Sequence, residues 1–140
     1  MEMEYGKVEE VIIERQKGSV RLVESAYSAQ VAALSADDKK GKDVRILDIR
    51  SISTVADYFV ICSGTSSTHI RAIADNVEDQ LSLLGLKLHH AEGYHNGRWI
   101  LLDFIDVVVH VMHDEERSFY NLERLWGDAR EVTFDRRQAG

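Results

Sequence analysis

GRWILLDFIDVVVHVMHDE, residues 97–115, holds two runs of bulky and β-branched residues, RWILLDF and VVVHVMH, separated at Phe104–Asp106 by a break short enough for one tight turn. The pattern predicts two antiparallel strands. Within the first run Ile100, Leu102 and Phe104 fall on one face, and Trp99, Leu101 and Asp103 on the other. Both faces are therefore apolar over part of their length. Two readings stand: a central strand buried on both sides, or a strand whose Trp99–Leu101–Asp103 face is a patch with a charged edge, suited to a binding anchor.

Upstream, LKLHHAEGY leads into Asn96-Gly97, a pair that predicts a type I′ turn before RWILLDF and makes the end of the sheet a meander. Before it, SGTSSTHIRAIADNVEDQLSLLG places Ile70, Ile73, Ala74, Val77, Leu81 and Leu84 on one helical stripe. Ser66 or Thr65 serves as the cap and Gly85 as the stop. VRILDI from Val44 and DYFVICS from Asp57 read as two more strands. Leu22, Ala26, Ala29 and Ala33 mark a first helix that closes near Gly41.

Downstream, Asp114 is the expected cap of a final helix with Glu115 and Glu116 in its first turn and Phe119, Leu122 and Trp126 on its buried side. Gly127 stops it. Helix, two strands, helix, three strands, helix predicts an α/β fold with a mixed β-sheet covered by helices. Residues 1–18 are read as a flexible N-terminal extension, with a short docking helix built on Val8, Val11 and Ile12 as the alternative. Residues 19–129 form the domain, and residues 130–140 a polar tail.

The chain of 140 residues, 44% of them hydrophobic, suits one domain with one sizeable core. Its longest apolar runs are far too short to span a bilayer, and Met1 to Glu10 carries four glutamates instead of a basic leader, so a soluble, cytoplasmic protein is expected, with no membrane contact. A single cysteine, Cys62, excludes an internal disulfide and a thiolate metal cage. The formal charge of −7, from 24 acidic and 17 basic residues, argues against a protein held mainly by nucleic-acid phosphates and favours a basic protein partner.

The candidate chemistry is sparse. SGTSS sits between a strand and a helix, where phosphate could bind, but it has one glycine and no lysine, so a turn with an N-cap is the simpler account. Asp103 and Asp106 are three apart and bracket a turn instead of forming a two-carboxylate metal site on one strand. His89 with His90, and His110 with His113, lack metal-ligand spacing, and His110 amid Val107–Val111 reads as a satisfied, half-buried imidazole. Cys62, in an apolar strand, reads as inert. No catalytic residue, cofactor or metal is expected.

ADYFVICSGTSSTHIRAIADNVE (56–78) and AEGYHNGRWILLDFIDVVVHVMHDEERSFYNLERLWGDA (91–129) together resemble the Iojap family, the bacterial ribosomal silencing factors, over about Leu22 to Ala129. The resemblance implies a nucleotidyltransferase-like α/β fold with a non-enzymatic role. It further implies binding to the large ribosomal subunit through ribosomal protein L-fourteen, steric blockage of small-subunit joining, lowered translation under nutrient limitation, and a part in large-subunit biogenesis. Carried over by position, the partner-binding residues are Trp99, Leu101 and Asp103, with Glu92, Gly93, Tyr94, Asp106 and His110 beside them. The resemblance also implies a homodimer when free, to which Phe119, Tyr120 or Trp126 would contribute if they are not simply core. The rival from another class is a nucleotide- or phosphate-binding enzyme of nucleotidyltransferase type using SGTSS with Asp48, Asp103 and Asp106. Direct RNA binding is a third option that the acidic charge disfavours.

Overall fold

The computed structural model describes residues 19–134, the side chains of 19–24 and 125 excepted. The extension at 1–18, the Leu22 side chain and the end of the tail lie outside the described residues. The elements are α1 (Ser19–Asp38), β1 (Lys42–Asp48), β2 (Tyr58–Gly64), α2 (Ser67–Leu83), β3 (His90–Glu92), β4 (Trp99–Asp103), β5 (Val107–His113), α3 (Asp114–Tyr120), α4 (Leu122–Leu125) and β6 (Arg130–Val132). The strands make one six-stranded sheet in the order β3-β4-β5-β2-β1-β6. Only β2 and β5 run parallel; the other neighbours are antiparallel, which gives the expected mixed sheet.

One face of the sheet is covered by α1 and α2. Ala29, Ala32, Ala33 and Ala36 let α1 approach closely, and the predicted stripe of α2 packs with Ile46, Val60, Ile100, Leu102, Val109 and Val111 in the larger core cluster. Ser66 caps α2, its side chain accepting from the His69 N–H at 3.1 Å. On the other face Leu47, Ile49, Phe59, Ile61, Val108 and Met112 form a second, smaller cluster, under Leu122, Trp126 and Ala129. Among the described residues, that face is covered by the short α3 and α4 and the chain that follows. The alternation read in β4 holds: Ile100 and Leu102 belong to the first cluster, Trp99 and Leu101 to the second.

Four expectations need correcting. The Asn96-Gly97 type I′ turn is absent: positive φ occurs at Gly93 (+81°) and Gly97 (+66°) but not at Asn96, and the Gly97 N–H bonds to the Gly93 carbonyl at 3.0 Å, closing a wider loop. The final helix is capped by His113, whose extended backbone and Nδ1, accepting from the Glu115 N–H at 3.2 Å, do what was expected of Asp114; the Asp114 carboxylate instead pairs with Lys42 at 2.8 Å. That helix breaks at Asn121, which adopts a left-handed conformation (φ 48°, ψ 61°). The break turns Phe119 outward to 80% exposure, so it is not on the buried side. Finally, the tail contributes a strand, β6, pairing Ile46 with Val132, where no alternating pattern had announced one.

Gly93 shows how tightly the meander is built. A Cβ added there would lie 2.0 Å from the Trp99 carbonyl oxygen, in a backbone conformation that L residues resist. We expect Gly93→Ala to lower stability by about 2 kcal/mol or more, read as a fall in urea midpoint without a change in slope. An unchanged midpoint would show that the loop relaxes freely.

Candidate functional site

Strand register assembles the site on the less covered sheet face. Across β3, β4, β5 and β2, Glu92 pairs with Leu101, Leu101 with His110 and His110 with Ile61, so these four side chains form one row. The neighbouring row holds His90, Asp103, Val108 and Phe59. Trp99 lies on the other side of Leu101, opposite Met112. Trp99, Leu101 and Asp103 are each partly exposed, whereas Ile100 and Leu102 between them are buried. The result is an apolar strip with carboxylates at its outer edge, where Glu92 also meets His90 at 2.8 Å.

Trp99 is held on two sides. Its indole N–H donates to His110 Nδ1 at 3.1 Å, and its ring lies 5.0 Å from that of Tyr120. His110 is 5% exposed and sits edge-on to Phe59 at 4.9 Å. Because indole can only donate, Nδ1 is the acceptor and the neutral imidazole carries its proton on Nε2, which has no hydrogen-bond partner among the described residues. Burial pushes the His110 pKa down to about 4, so the ring is neutral at ordinary pH. The half-buried reading thus gives way to a buried one, satisfied at one nitrogen.

Tyr120 (50% exposed) and Phe119 extend the aromatic surface outward from Trp99, their own rings 4.9 Å apart. Sequence reasoning had set them aside as simpler to explain by core packing. No local signal marks the break at Asn121 that exposes them. The short helices are fixed to the sheet by Arg117, which donates to Ser63 Oγ at 2.9 Å and to the Lys42 carbonyl at 3.3 Å and pairs with Glu123.

The remaining predicted residues fall elsewhere. Tyr94 reaches toward α2, its hydroxyl donating to Asp75 at 3.2 Å. Gly93 serves the backbone geometry described above. Asp106 lies in the β4–β5 turn, its carbonyl accepting from the Asp57 and Tyr58 N–H groups at 2.8 and 3.1 Å, and Asp103 Oδ1 accepts from the Ile105 N–H at 2.7 Å. These two aspartates do bracket the turn, as expected.

The carboxylates required by the enzymatic rival are not brought together. Asp48 pairs in register with Tyr58, on the helix-covered face, while Asp103 shares the opposite face with Val108. Asp48 is moreover engaged by Arg50 at 2.7 Å and Arg130 at 3.0 Å, and the Arg50 guanidinium holds its carboxyl well below the usual range. Among the described residues the trio with metal-ligand spacing is His113, Glu115 and Glu116. Arg98 already pairs with both glutamates, at 2.9 and 2.8 Å, and His113 is spent on the helix cap. In the SGTSS turn His69 Nδ1 accepts from the Thr65 N–H at 3.0 Å and Ser67 Oγ donates to the Asn96 carbonyl at 3.2 Å, which supports the turn-and-cap reading. Cys62 is fully buried and its thiol is pushed up to about 12, consistent with an inert role. No helix among the described residues is long and apolar enough to cross a membrane.

Known proteins agree with the family resemblance. The model of the family described as "Ribosomal silencing factor during starvation" matches residues 23–139. A protein of Bacillus subtilis (strain 168) named "Ribosomal silencing factor RsfS" is 50% identical over 100 residues, 71% of this chain and 85% of that one. "Protein Iojap, chloroplastic" of Zea mays is 35% identical over 105 residues, 74% of this chain and 46% of the longer plant protein. Among solved structures, a protein from Chromobacterium violaceum superposes with a TM-score of 0.72 at 32% identity, covering 78% of this chain and 90% of that chain. One from Bacillus halodurans gives 0.67 at 41% identity, covering 75% and 95%.

Proposed function

The chain belongs to the ribosomal silencing factor family, and from that membership we propose that it binds the large ribosomal subunit through ribosomal protein L-fourteen and sterically blocks joining of the small subunit. In this reading it acts in the cytoplasm, represses translation when nutrients are short, contributes to large-subunit biogenesis, and has no catalytic step. The observation that carries the reading is the apolar strip of Trp99 and Leu101, half-buried and edged by Glu92 and Asp103, on a sheet face that, among the described residues, short elements cover. Such a strip has the composition of an interface centre, an aromatic anchor with charges at its margin.

Of the residues assigned to the partner surface, Trp99, Leu101, Asp103 and Glu92 are the direct contacts. Asp106 contributes from the neighbouring turn. His110 supports Trp99 from beneath, and Gly93 and Tyr94 hold the loop that ends at the strip. An acidic margin suits a basic ribosomal protein and speeds encounter at low salt. The same reading makes the free protein a homodimer, with Phe119 and Tyr120 exposed for such a contact.

Occlusion follows from competition alone. Two ligands for overlapping faces of one subunit exclude each other in proportion to concentration over dissociation constant, with no conformational switch. Co-sedimentation with separated subunits and intact ribosomes is the test. We expect the protein to pellet with free large subunits and not with small subunits or joined ribosomes. Equal binding to all three particles would overturn the proposal, and so would binding to naked ribosomal RNA with steep salt dependence.

A further inference from the structure

The β4–β5 hairpin turns on a residue whose side chain makes the turn costly. Ile105 has a φ of +76°, and across it the Asp106 N–H donates to the Phe104 carbonyl at 3.0 Å, the arrangement of a γ-turn of the strained hand. A β-branched side chain crowds its own backbone in this region, where glycine fits freely. Core packing does not compensate. Phe104 and Val107 on either side are buried, whereas Ile105 is 52% exposed and belongs to neither core cluster. An apolar side chain therefore stands where both its backbone and its contact with water are unfavourable.

The turn that carries it is firmly held. The Phe104 N–H donates to the Val107 carbonyl at 2.9 Å, and the Asp106 carbonyl accepts from the Asp57 N–H at 2.8 Å, which ties the turn to the start of β2. Asp103 Oδ1 accepts from the Ile105 N–H at 2.7 Å. A rigid support of this kind offers the side chain to a partner without an ordering cost at the moment of contact.

We infer that Ile105 is a second apolar anchor of the partner-binding face, received by an apolar hollow with basic margins on the same ribosomal partner that receives Trp99. The inference rests on the binding role proposed above and adds a contact residue to it. Continuity with the strip argues for that occupant. Asp103, the outer edge of the strip, is also the group that holds the Ile105 N–H, and Asp103 and Asp106 set a carboxylate on each side of the exposed side chain. At about 3.4 Å per residue Ile105 lies roughly 20 Å from Trp99, a distance that a patch of about 800 Å² spans. An apolar anchor between two acidic groups repeats the pattern of Trp99 and Leu101 with their acidic margin.

Three substitutions in the full chain, each followed by thermal melting and by binding to free large subunits, separate this role from a structural one. Ile105→Gly should raise the thermal midpoint by about 2–5 °C by releasing the strain and yet weaken binding roughly fivefold to tenfold. Ile105→Thr, β-branched but polar, should leave the midpoint within about 2 °C and weaken binding as much. Ile105→Leu should bind like the wild type. Wild-type affinity in Ile105→Gly would overturn the inference, and Trp99→Ala still weakened beside it would show that the strip keeps its role. Wild-type affinity in Ile105→Thr with weakened Ile105→Gly would also overturn it, by assigning the effect to the shape of the turn. Loss of self-association in Ile105→Gly with subunit binding intact would do the same, by making the occupant a second copy. Absence of large-subunit binding by the wild type itself would remove both this anchor and the function it rests on.

Discussion

Replacing Trp99 by alanine is expected to weaken binding to the large subunit by roughly 30- to 1,000-fold, the about 2–4 kcal/mol that a central aromatic anchor carries. Part of that effect is indirect. Removing the indole leaves His110 Nδ1 without its 3.1 Å donor and takes the 5.0 Å ring contact from Tyr120, so the neighbouring surface loses its template as well as its anchor. Since Trp99 is only half-buried on the thinly covered face, the fold should survive, and a thermal melt of the variant would show a cooperative transition at a lower midpoint. Leu83→Ser, on the opposite face, should bind like the wild type. Equal binding by wild type and Trp99→Ala would remove this strip from the interface.

The second large effect concerns pH. His110 has an ordinary pKa of 6.5 when unfolded and about 4 in the folded protein. Above about pH 6.5 both states are neutral, and the folded protein has its full stability. As pH falls below 6.5 the unfolded chain takes up a proton that the buried ring refuses, and stability drops by up to about 1.4 kcal/mol per unit until the folded pKa is reached. Between pH 7 and pH 5 the loss should be about 2 kcal/mol. His110→Asn keeps an acceptor in reach of the Trp99 indole but cannot titrate, so its denaturant-derived stability should change far less over the same interval. Equal slopes in wild type and variant would show that His110 is not the titrating group. Asp48, Asp114 and Glu116, whose pKa values are held low by their Arg50, Lys42 and Arg98 partners, act in the same direction but at lower pH: their contribution is present above the unfolded carboxylate pKa and is lost as pH falls through the folded one.

The parts of this fold that could be read from the sequence are those set by local periodicity. Alternation in RWILLDF separates Ile100 and Leu102 from Trp99 and Leu101, and the structure puts those pairs on opposite faces. The stripe from Ile70 to Leu81 needs only the helical repeat. Once the turn at Phe104–Asp106 is accepted, hairpin register brings Leu101 opposite His110 and Trp99 opposite Met112, so the support beneath Trp99 was within reach of the same reasoning.

What could not be read depends on non-local partners or on a single residue's backbone state. Whether the Trp99 face is covered depends on the strand order and on where α3 and α4 dock, which no spacing in the sequence encodes. The periodicity of Phe119, Leu122 and Trp126 runs on as if unbroken, yet Asn121 tolerates the left-handed conformation and ends α3, which reverses the expected fate of Phe119. Arg130–Val132 becomes a strand because β1 offers it an open edge. The Asn96-Gly97 signal was overridden because Gly93 begins a wider loop four residues earlier, with its own left-handed turn.

Light scattering of purified subunits mixed at joining conditions, with increasing amounts of the wild-type protein or of Trp99→Ala, tests the central claim most directly. The account predicts that the wild type lowers the joined fraction in a saturable way when added to large subunits first, that excess small subunits relieve the block, and that Trp99→Ala needs at least about thirty times more protein for the same effect. Undiminished joining on large subunits saturated with the protein would contradict occlusion, and an equal block by the variant would contradict the role assigned to this face.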